Sequence, residues 1–428
     1  MQYIAPYPLV KIIPLQAFVS SMSKMNEGIR YRNLAKTRHY ILKSVNHVYE
    51  VAVSDEIRHK AVDDVLRDAH HSKEYKYWLH HREKAYEQSK LWIEYYDKYC
   101  NNHSHNGIVI NDGYVRKKRT IIVPTFKELV VQHCVIEALR PMLFRGLYRH
   151  TYASIPEQII FSGNYNSNGS EHYITIKRGT HHGKKIVDKW IRTDPKNCKY
   201  CLKMDIRHFF DSIPHDILIK KLKKNIHDSK MMTLLINIIK IKPRGLPLGF
   251  YTSQWFSNWY LQELDHYIKE KLYAKYYIRY NDDMVIFGSN KRILQKSRFK
   301  IKTYLRYELD LFMKKNYQVF SIDNRPLDFM GFRFYRNKTT LRKSIMLRAS
   351  QKAKRINKKK HFTVYDARQM LSYNGYLKAA DVYGMYLDYI KPYVKMKKLK
   401  KHISKYDKIN NIQEVDFRCG DELQILVA

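Results

Sequence analysis

The chain has 428 residues, 44% of them hydrophobic, and carries 79 Lys+Arg against 40 Asp+Glu for a formal net charge of +39. That length and apolar content suit one multi-lobed protein or two to three domains, and so large a one-signed surplus implies a polyanionic partner, held by displacing counterions from phosphates. Five cysteines, an odd number without scaffold spacing, exclude a disulfide framework and fit a reducing compartment; no run approaches the ~18 apolar residues of a membrane span.

Residues 7–19 are apolar but contain Lys11 and two prolines without a basic leader, so they are not a signal peptide, and a cytoplasmic location is expected. Helical periodicity covers 55–67 and 73–99, the second with Trp78, Leu79, Tyr86, Leu91, Trp92 and Tyr95 on one broad face. A linker rich in Asn and His follows at 101–106. The His pairs at 70–71, 80–81 and 181–182 have no third ligand at helical spacing and read as solvated or phosphate-facing. Short strands at 107–110 and 119–123 flank a turn at Asn111-Asp112-Gly113 and the basic cluster Arg116 to Arg119. The Asn/Ser/Gly-rich stretch 163–169, inside 159–176, reads as an exposed loop. Cys198-x-x-Cys201 is half of a zinc pattern without a second half, so a loop and strand start is expected.

Residues 201–206 read as a buried strand ending near Asp205, and Ser212 with Pro214 as a helix start. A helix over 214–225 turns Ile217, Leu218 and Leu222 inward. The longest clean helix spans 252–272, and its stripe of Trp255, Phe256, Trp259 and Tyr260 is core. Two apolar runs, 276–280 and 284–287, flank Asn281-Asp282-Asp283 and predict a hairpin with adjacent carboxylates at its tip. A basic amphipathic helix over 292–309 lies behind the sheet. The remainder, 336–428, is strongly basic, with helices over 364–393 that present Met370, Leu371, Tyr376, Leu377 and Tyr386.

Two like charges side by side repel unless a cation sits between or beside them. An acid at a strand end, Asp205, facing a hairpin with two more, Asp282 and Asp283, is how a pair of hard divalent cations is caged. Two such ions about 4 Å apart serve an in-line phosphoryl transfer. The 36 tyrosines, interleaved with positive charge, suit unpaired bases. An AT-rich genome would also raise Tyr with Lys, Ile and Asn; it accounts for the tyrosines but not for the shortage of acids.

On these motifs the chain resembles bacterial reverse transcriptases of the group II intron and retron type, over roughly residues 105–390 and in the family's order. The segments are Arg119-Thr-Ile-Ile-Val-Pro124 with Val130 to His133, Lys177-Arg178-Gly179-Thr180-His181, Asp205, Gly245-Leu246-Pro247-Leu248-Gly249 through Ser253-Gln254, Tyr280 to Asp283, Asp328-Phe329-Met330-Gly331-Phe332, and Ser372 to Leu377. The resemblance implies an α+β right-hand polymerase of fingers, palm and thumb with a mainly helical N-terminal extension. Its divisions fall at 1–105 for the extension, 106–335 for fingers and palm, and 336–428 for a basic thumb and tail. It implies an RNA-directed DNA polymerase working on dNTPs with two Mg²⁺, for which Mn²⁺ can substitute. The partners implied are an RNA template, which a dedicated noncoding RNA would supply, and the DNA product. Asp205, Asp282 and Asp283 are then catalytic, and with Ile206 they form the metal set. Nucleotide contacts fall to Lys118, Arg119, Phe209, Phe210, Leu248, Gly249 and Gln254. One of the paired phenylalanines, Phe210 by position, is the gate against a 2′-hydroxyl, and the other is core. Nucleic-acid contacts fall to Arg178, Tyr280, Met330, Gly331, Arg342, Lys352, Lys354, Arg355 and Lys359. Leu248 departs from the Gln common in relatives. With Ser253-Gln254 it is similar to the diversity-generating and antiphage-defence groups, so the setting is defence or a retroelement. Two alternatives stay open: a template-independent or protein-primed polymerase of a defence system, and an inactive RNA-binding scaffold.

Overall fold

The computed structural model describes residues 45–68, 73–100, 107–112, 117–165 and 171–409. The apolar segment 7–19, His70-His71, the linker 101–106, Arg116 and Cys419 lie outside the described residues.

The chain begins with α1 (Val48–Ala52), α2 (Asp55–Asp68), α3 (Lys73–His80), α4 (Arg82–Glu94) and α5 (Tyr96–Tyr99). The single periodic run expected over 73–99 is thus broken at His81 and Tyr95, whose backbones leave helical geometry. Each break rotates the apolar face. Trp78 and Trp92 stay buried, while Leu79, Leu91 and Tyr95 turn out to solvent. Strands β1 (Gly107–Asp112) and β2 (Lys117–Ile122) pair antiparallel, with Asn111 opposite Lys118 and Asp112 opposite Lys117. Asn111 and Asp112, expected in a turn, are therefore strand residues, because cross-strand pairing extends through them, and Gly113 lies outside the described residues.

Helix α6 (Phe126–Phe144) is the hub. A capping box starts it, with Glu128 N donating to Thr125 Oγ1 and Thr125 N to the Glu128 carboxylate. It is buried nearly all round, as a helix inside a large core must be. Trp78 stacks on its Phe126, and Val48, Ala61, Val65 and Trp92 share its core. The described N-terminal helices are therefore part of the main body rather than an appended bundle. Strands β3 (Gln158–Tyr165) and β4 (Glu171–Ile176) form a two-stranded sheet of their own where a loop was expected. The β-branched and aromatic runs Ile159-Ile160-Phe161 and Tyr173-Ile174-Thr175 outweigh the intervening Asn and Gly; residues 166–170 lie outside the described residues.

Helix α7 (Gly179–Thr193) leads to β5 (Tyr200–Met204), then α8 (Phe209–Ser212), α9 (His215–Asn225), α10 (Ser229–Ile239), α11 (Tyr251–Tyr260) and α12 (Gln262–His266). A π-helical turn at Tyr267–Lys271 ends this region, so the clean helix expected over 252–272 is wound in separate pieces. Its aromatic stripe is core, as expected. Strands β6 (Tyr276–Tyr280) and β7 (Asp283–Gly288), helix α13 (Lys291–Glu308) and strand β8 (Gln318–Ser321) complete a four-stranded antiparallel sheet in the order β6-β7-β5-β8.

Alternation along these strands feeds two cores. Leu202, Met204, Tyr277, Met284 and Ile286 join the core built on α6 and α11. Cys201, Ile278, Val285 and Phe287 join a second core with Val187 and Ile191 of α7. That second core also holds strands β9 (Leu327–Phe329), β10 (Phe332–Phe334) and β11 (Thr339–Leu341), which form a three-stranded antiparallel sheet. It continues into α14 (Lys343–Lys358), α15 (Val364–Lys378), α16 (Tyr383–Tyr389) and α17 (Met396–Ile409). The sheet is thus covered on both faces. Among the described residues, no helix is long and apolar enough to cross a membrane.

Candidate active site

The β6–β7 register pairs Tyr280 with Asp283, which leaves Asn281-Asp282 as a two-residue turn. Asn281 takes φ of 53°, a left-handed conformation that Asn tolerates better than most residues. The neighbouring strand pairs Met204 with Met284, so the next residue, Asp205, comes alongside Asp283. Carboxylates far apart in the chain therefore meet at one end of the sheet.

The hairpin tip is anchored from beneath. Arg279 is fully buried and grips the equally buried Asp265, with Nε donating to Oδ1 at 2.8 Å and Nη2 to Oδ2 at 2.6 Å. Its Nη1 donates to Asn258 Oδ1 at 2.9 Å and to the Asn281 carbonyl at 3.1 Å, inside the turn itself. Tyr277 also donates its hydroxyl to Asp265 at 2.6 Å. Burial alone would lower the Arg279 pKa, but the Asp265 charge raises it overall and keeps the guanidinium protonated.

The acids are under electrostatic stress. Burial pushes the Asp282 carboxyl up, and the charges of Asp205 and then Asp283 push it further. Burial also raises Asp283, against the pull of Lys203, whose Nζ stands 3.8 Å from its Oδ1. Lys314 Nζ donates to Asp205 Oδ2 at 2.5 Å, while Asp205 Oδ1 is buried without a hydrogen-bond partner among the described residues. Among the described residues, no group of three His, Cys, Asp or Glu side chains is drawn close around a single point. The donor chemistry nevertheless fits a hard cation: the carboxylates of Asp205 and Asp283, with one oxygen unsatisfied among the described residues, line a cleft of about 90 Å³ together with Lys203, Asn316, Tyr317 and Gln318. Ile206 is buried, and its segment pairs with Met313.

The glycine-rich segment is bolted to both neighbours. Leu246 N donates to the Phe210 carbonyl at 2.7 Å, and a Cβ on Gly245 would come within 2.5 Å of that oxygen. Ile122 N of β2 donates to the Leu248 carbonyl at 2.8 Å, and a Cβ on Gly249 would come within 2.2 Å of the Ile122 carbonyl. Both glycines have positive φ, so any side chain there is strained as well as crowded. Phe209 is buried in the core and Phe210 is half-buried, the two rings meeting edge to face. Lys118 and Arg119 are exposed on β2, and Gln254 is half-buried on α11. Asp211 pairs with Lys242, and the His215 ring hydrogen-bonds the Gly245 carbonyl.

Several residues expected to meet nucleic acid are turned elsewhere. Arg178 is 2% exposed and spends Nη1 on the carbonyls of Tyr148, Arg149 and Thr151, so it pins a loop instead. Met330 is buried, and its sulfur sits against Gly183 of α7. Lys352 is turned inward onto Asp366, which Lys359 also grips. Arg342 is half-exposed and paired with Asp328. Lys354 and Arg355 do face solvent, Tyr280 is half-buried against the second core, and Gly331 is buried, a Cβ there meeting Ile345. Cys198 and Cys201 are both buried and, among the described residues, unpaired; Cys198 precedes β5 and Cys201 lies within it.

Sequence reasoning missed Arg279, Asp265, Lys203 and Lys314. Arg279 had a signal: a charged residue inside an otherwise apolar strand needs a buried partner. Lys203 lies two positions before Asp205 and so shares its strand face. Lys314 had none, because the contact is made across the fold.

A four-stranded antiparallel sheet with acids at a strand end and at the neighbouring hairpin tip is the palm of a right-hand polymerase. Residues 117–334, half of the chain, match the family model described as reverse transcriptase (RNA-dependent DNA polymerase), and the chain belongs to that family. It is similar to Protein YkfC of Escherichia coli, 24% identical over 167 residues that cover 36% of this chain and 38% of that protein. It is also similar to an uncharacterized 91 kDa protein in the cob intron of Schizosaccharomyces pombe, 35% identical over 89 residues that cover 18% of this chain and 11% of that protein. The chain thus matches well under half the length of either relative. Among solved structures it overlaps telomerase from Candida albicans in complex with a fragment of telomeric RNA, at 12% identity and a TM-score of 0.36, covering 76% of this chain and 65% of that one.

Proposed function

We propose that this chain is an RNA-directed DNA polymerase whose catalytic carboxylates are Asp205, Asp282 and Asp283. The observation that carries this reading is the convergence of those acids at one end of the sheet, with Asp205 Oδ1 buried and unsatisfied. With Ile206, through its main chain, they would hold two Mg²⁺, for which Mn²⁺ can substitute. When bound, such ions supply activation of the primer 3′-hydroxyl and neutralisation of the triphosphate. The chain's own residues do the positioning. The bonds from Leu246 to Phe210 and from Ile122 to Leu248 tie the glycine-rich segment between palm and fingers, which supports a nucleotide-contacting role for Leu248, Gly249 and Gln254. Phe210, half-buried against Phe209, excludes a 2′-hydroxyl. Lys118 and Arg119 on β2 meet the triphosphate. Lys354 and Arg355 on α14 track the template–primer backbone. The template is RNA, supplied by a dedicated noncoding RNA, in antiphage defence or a retroelement; Leu248 with Ser253-Gln254 supports that setting.

The test is primer extension on an RNA template by Asp282→Asn/Asp283→Asn. Synthesis should fall by at least about a thousandfold, as losses of transition-state charge stabilisation do, while RNA affinity stays within about twofold because phosphate contacts set it. Extension at the parent rate by this variant would refute the assignment.

A further inference from the structure

Helix α13 lies on the outside of the sheet's helical layer, and its outer face is unlike a solvated helix. Leu294, Ile301 and Leu305 turn inward to the core built on α6. On the opposite side, helical spacing aligns Arg292, Lys296, Phe299, Lys300, Thr303 and Tyr307 in one strip. At 1.5 Å rise per residue the strip runs roughly 22 Å. Phe299 is 63% exposed and Tyr307 81% exposed. Arg292, Lys296 and Lys300 are exposed and make no ion pair among the described residues. The other arginines of the helix are committed: Arg306 to Asp310, and Arg298 to Gln295 and the Tyr317 ring. Glu308, the helix's only acid, lies off the strip.

We propose that this strip is a second nucleic-acid site, for an unpaired RNA strand running along the back of the palm. Rings alternating with unpaired cations provide stacking faces and phosphate contacts at the spacing a single strand needs. A solvated helix needs the charges but not the rings, whose exposure costs apolar hydration. A second copy of the chain would set the strip's cations against themselves, so charge complementarity favours a polyanion. The site is separate from any duplex path along β9–β11 and the C-terminal helices, because those elements belong to the core on the other face of the sheet. The inference rests on the polymerase reading only in expecting RNA as the strand.

The test uses the full chain with its cleft filled by a saturating RNA–DNA hybrid bearing a dideoxy-terminated primer. The probe is a labelled oligo(U) of about 15 nucleotides, within the span of known single-strand sites. It should bind the filled protein. Phe299→Ser/Tyr307→Ser should weaken it by roughly tenfold or more, on the scale of two lost base stacks. Arg292→Ser/Lys296→Ser/Lys300→Ser should flatten the log affinity against log salt slope by about 2. All these side chains are exposed, so both variants should fold and should still extend a primer. Loss of oligo(U) binding once the cleft is filled, or unchanged affinity in both variants, would overturn the proposal. Preference for oligo(dT) over oligo(U) would overturn the RNA assignment. A change of sedimentation in the ring variant with unchanged RNA affinity would assign the face to protein contact instead. A parent that binds oligo(U) in this way but extends no primer would sink the polymerase reading and leave the strip standing.

Discussion

Arg279→Met should be among the most damaging single changes in the palm, and the reason is the company the side chain keeps. Arg279 and Asp265 are both fully buried, and the guanidinium also satisfies Asn258 and the Asn281 carbonyl of the hairpin turn. Removing it leaves Asp265 as a buried charge with, among the described residues, the Tyr277 hydroxyl as its one remaining close donor and Thr151 Oγ1 at 3.5 Å. Breaking one side of such a pair costs about 3–5 kcal/mol. Arg279→Met/Asp265→Leu removes both charges, and apolar replacements of similar volume are commonly close to neutral, so most of the loss should return. The double variant does not restore the bond to Asn281. That bond is worth about 1 kcal/mol net, and a barrier change of that size is roughly a five- to tenfold slower step. Stability and catalysis should therefore separate: urea denaturation followed by tryptophan fluorescence should show recovery, while single-nucleotide extension stays depressed. A loss under about 1 kcal/mol for Arg279→Met, or a double variant that extends at the parent rate, would refute the reasoning.

Two further outcomes are expected. Phe210→Ala should relax discrimination against ribonucleotides by on the order of tenfold or more, since a pocket that has lost its blocking ring cannot strongly reject an added hydroxyl; incorporation of dNTP and rNTP at matched concentration measures it, and an unchanged ratio would place the gate elsewhere. Burial alone would raise the Asp366 carboxyl, but Lys352, Lys359 and the Thr363 amide bring it below the ordinary range, so its contribution is complete above about pH 4 and is lost as pH falls through the lowered value. Asp366→Asn should thus lose roughly 1–3 kcal/mol at neutral pH, with the gap to the parent narrowing below about pH 4; a gap that stays constant down to pH 3 would be incompatible with this account.

The parts of the site legible from the residues were those with strong local chemistry. A strand ending in Asp205 and the Asn281-Asp282 turn both appear where the apolar runs placed them, because strand alternation and turn residues are short-range signals. The buried stripe of α11 was legible for the same reason. Where polar composition was set against backbone pairing, pairing prevailed: Asn111 and Asp112 are strand residues, and 159–165 extends as a strand despite its Asn and Gly. The 73–99 run was misjudged because two backbone breaks redirect a face that periodicity alone treats as continuous.

Charge was the quantity least readable along the chain. Counting Lys and Arg pointed to a polyanion partner in outline, but not to which cations are available to it. Arg178 and Lys352 look like surface charges in sequence, yet the fold turns each inward to an acceptor 27 and 14 residues away. The carboxylates behave the same way. Residue type and spacing made Asp205, Asp282 and Asp283 candidates, whereas their mutual stress and the Lys314 contact arise from side chains brought together by the sheet. Periodicity and turn chemistry are local, so the chain's own order expresses them; desolvation and Coulomb interaction depend on distance and burial, which exist only once the sheet, its two cores and the loops at its end have assembled.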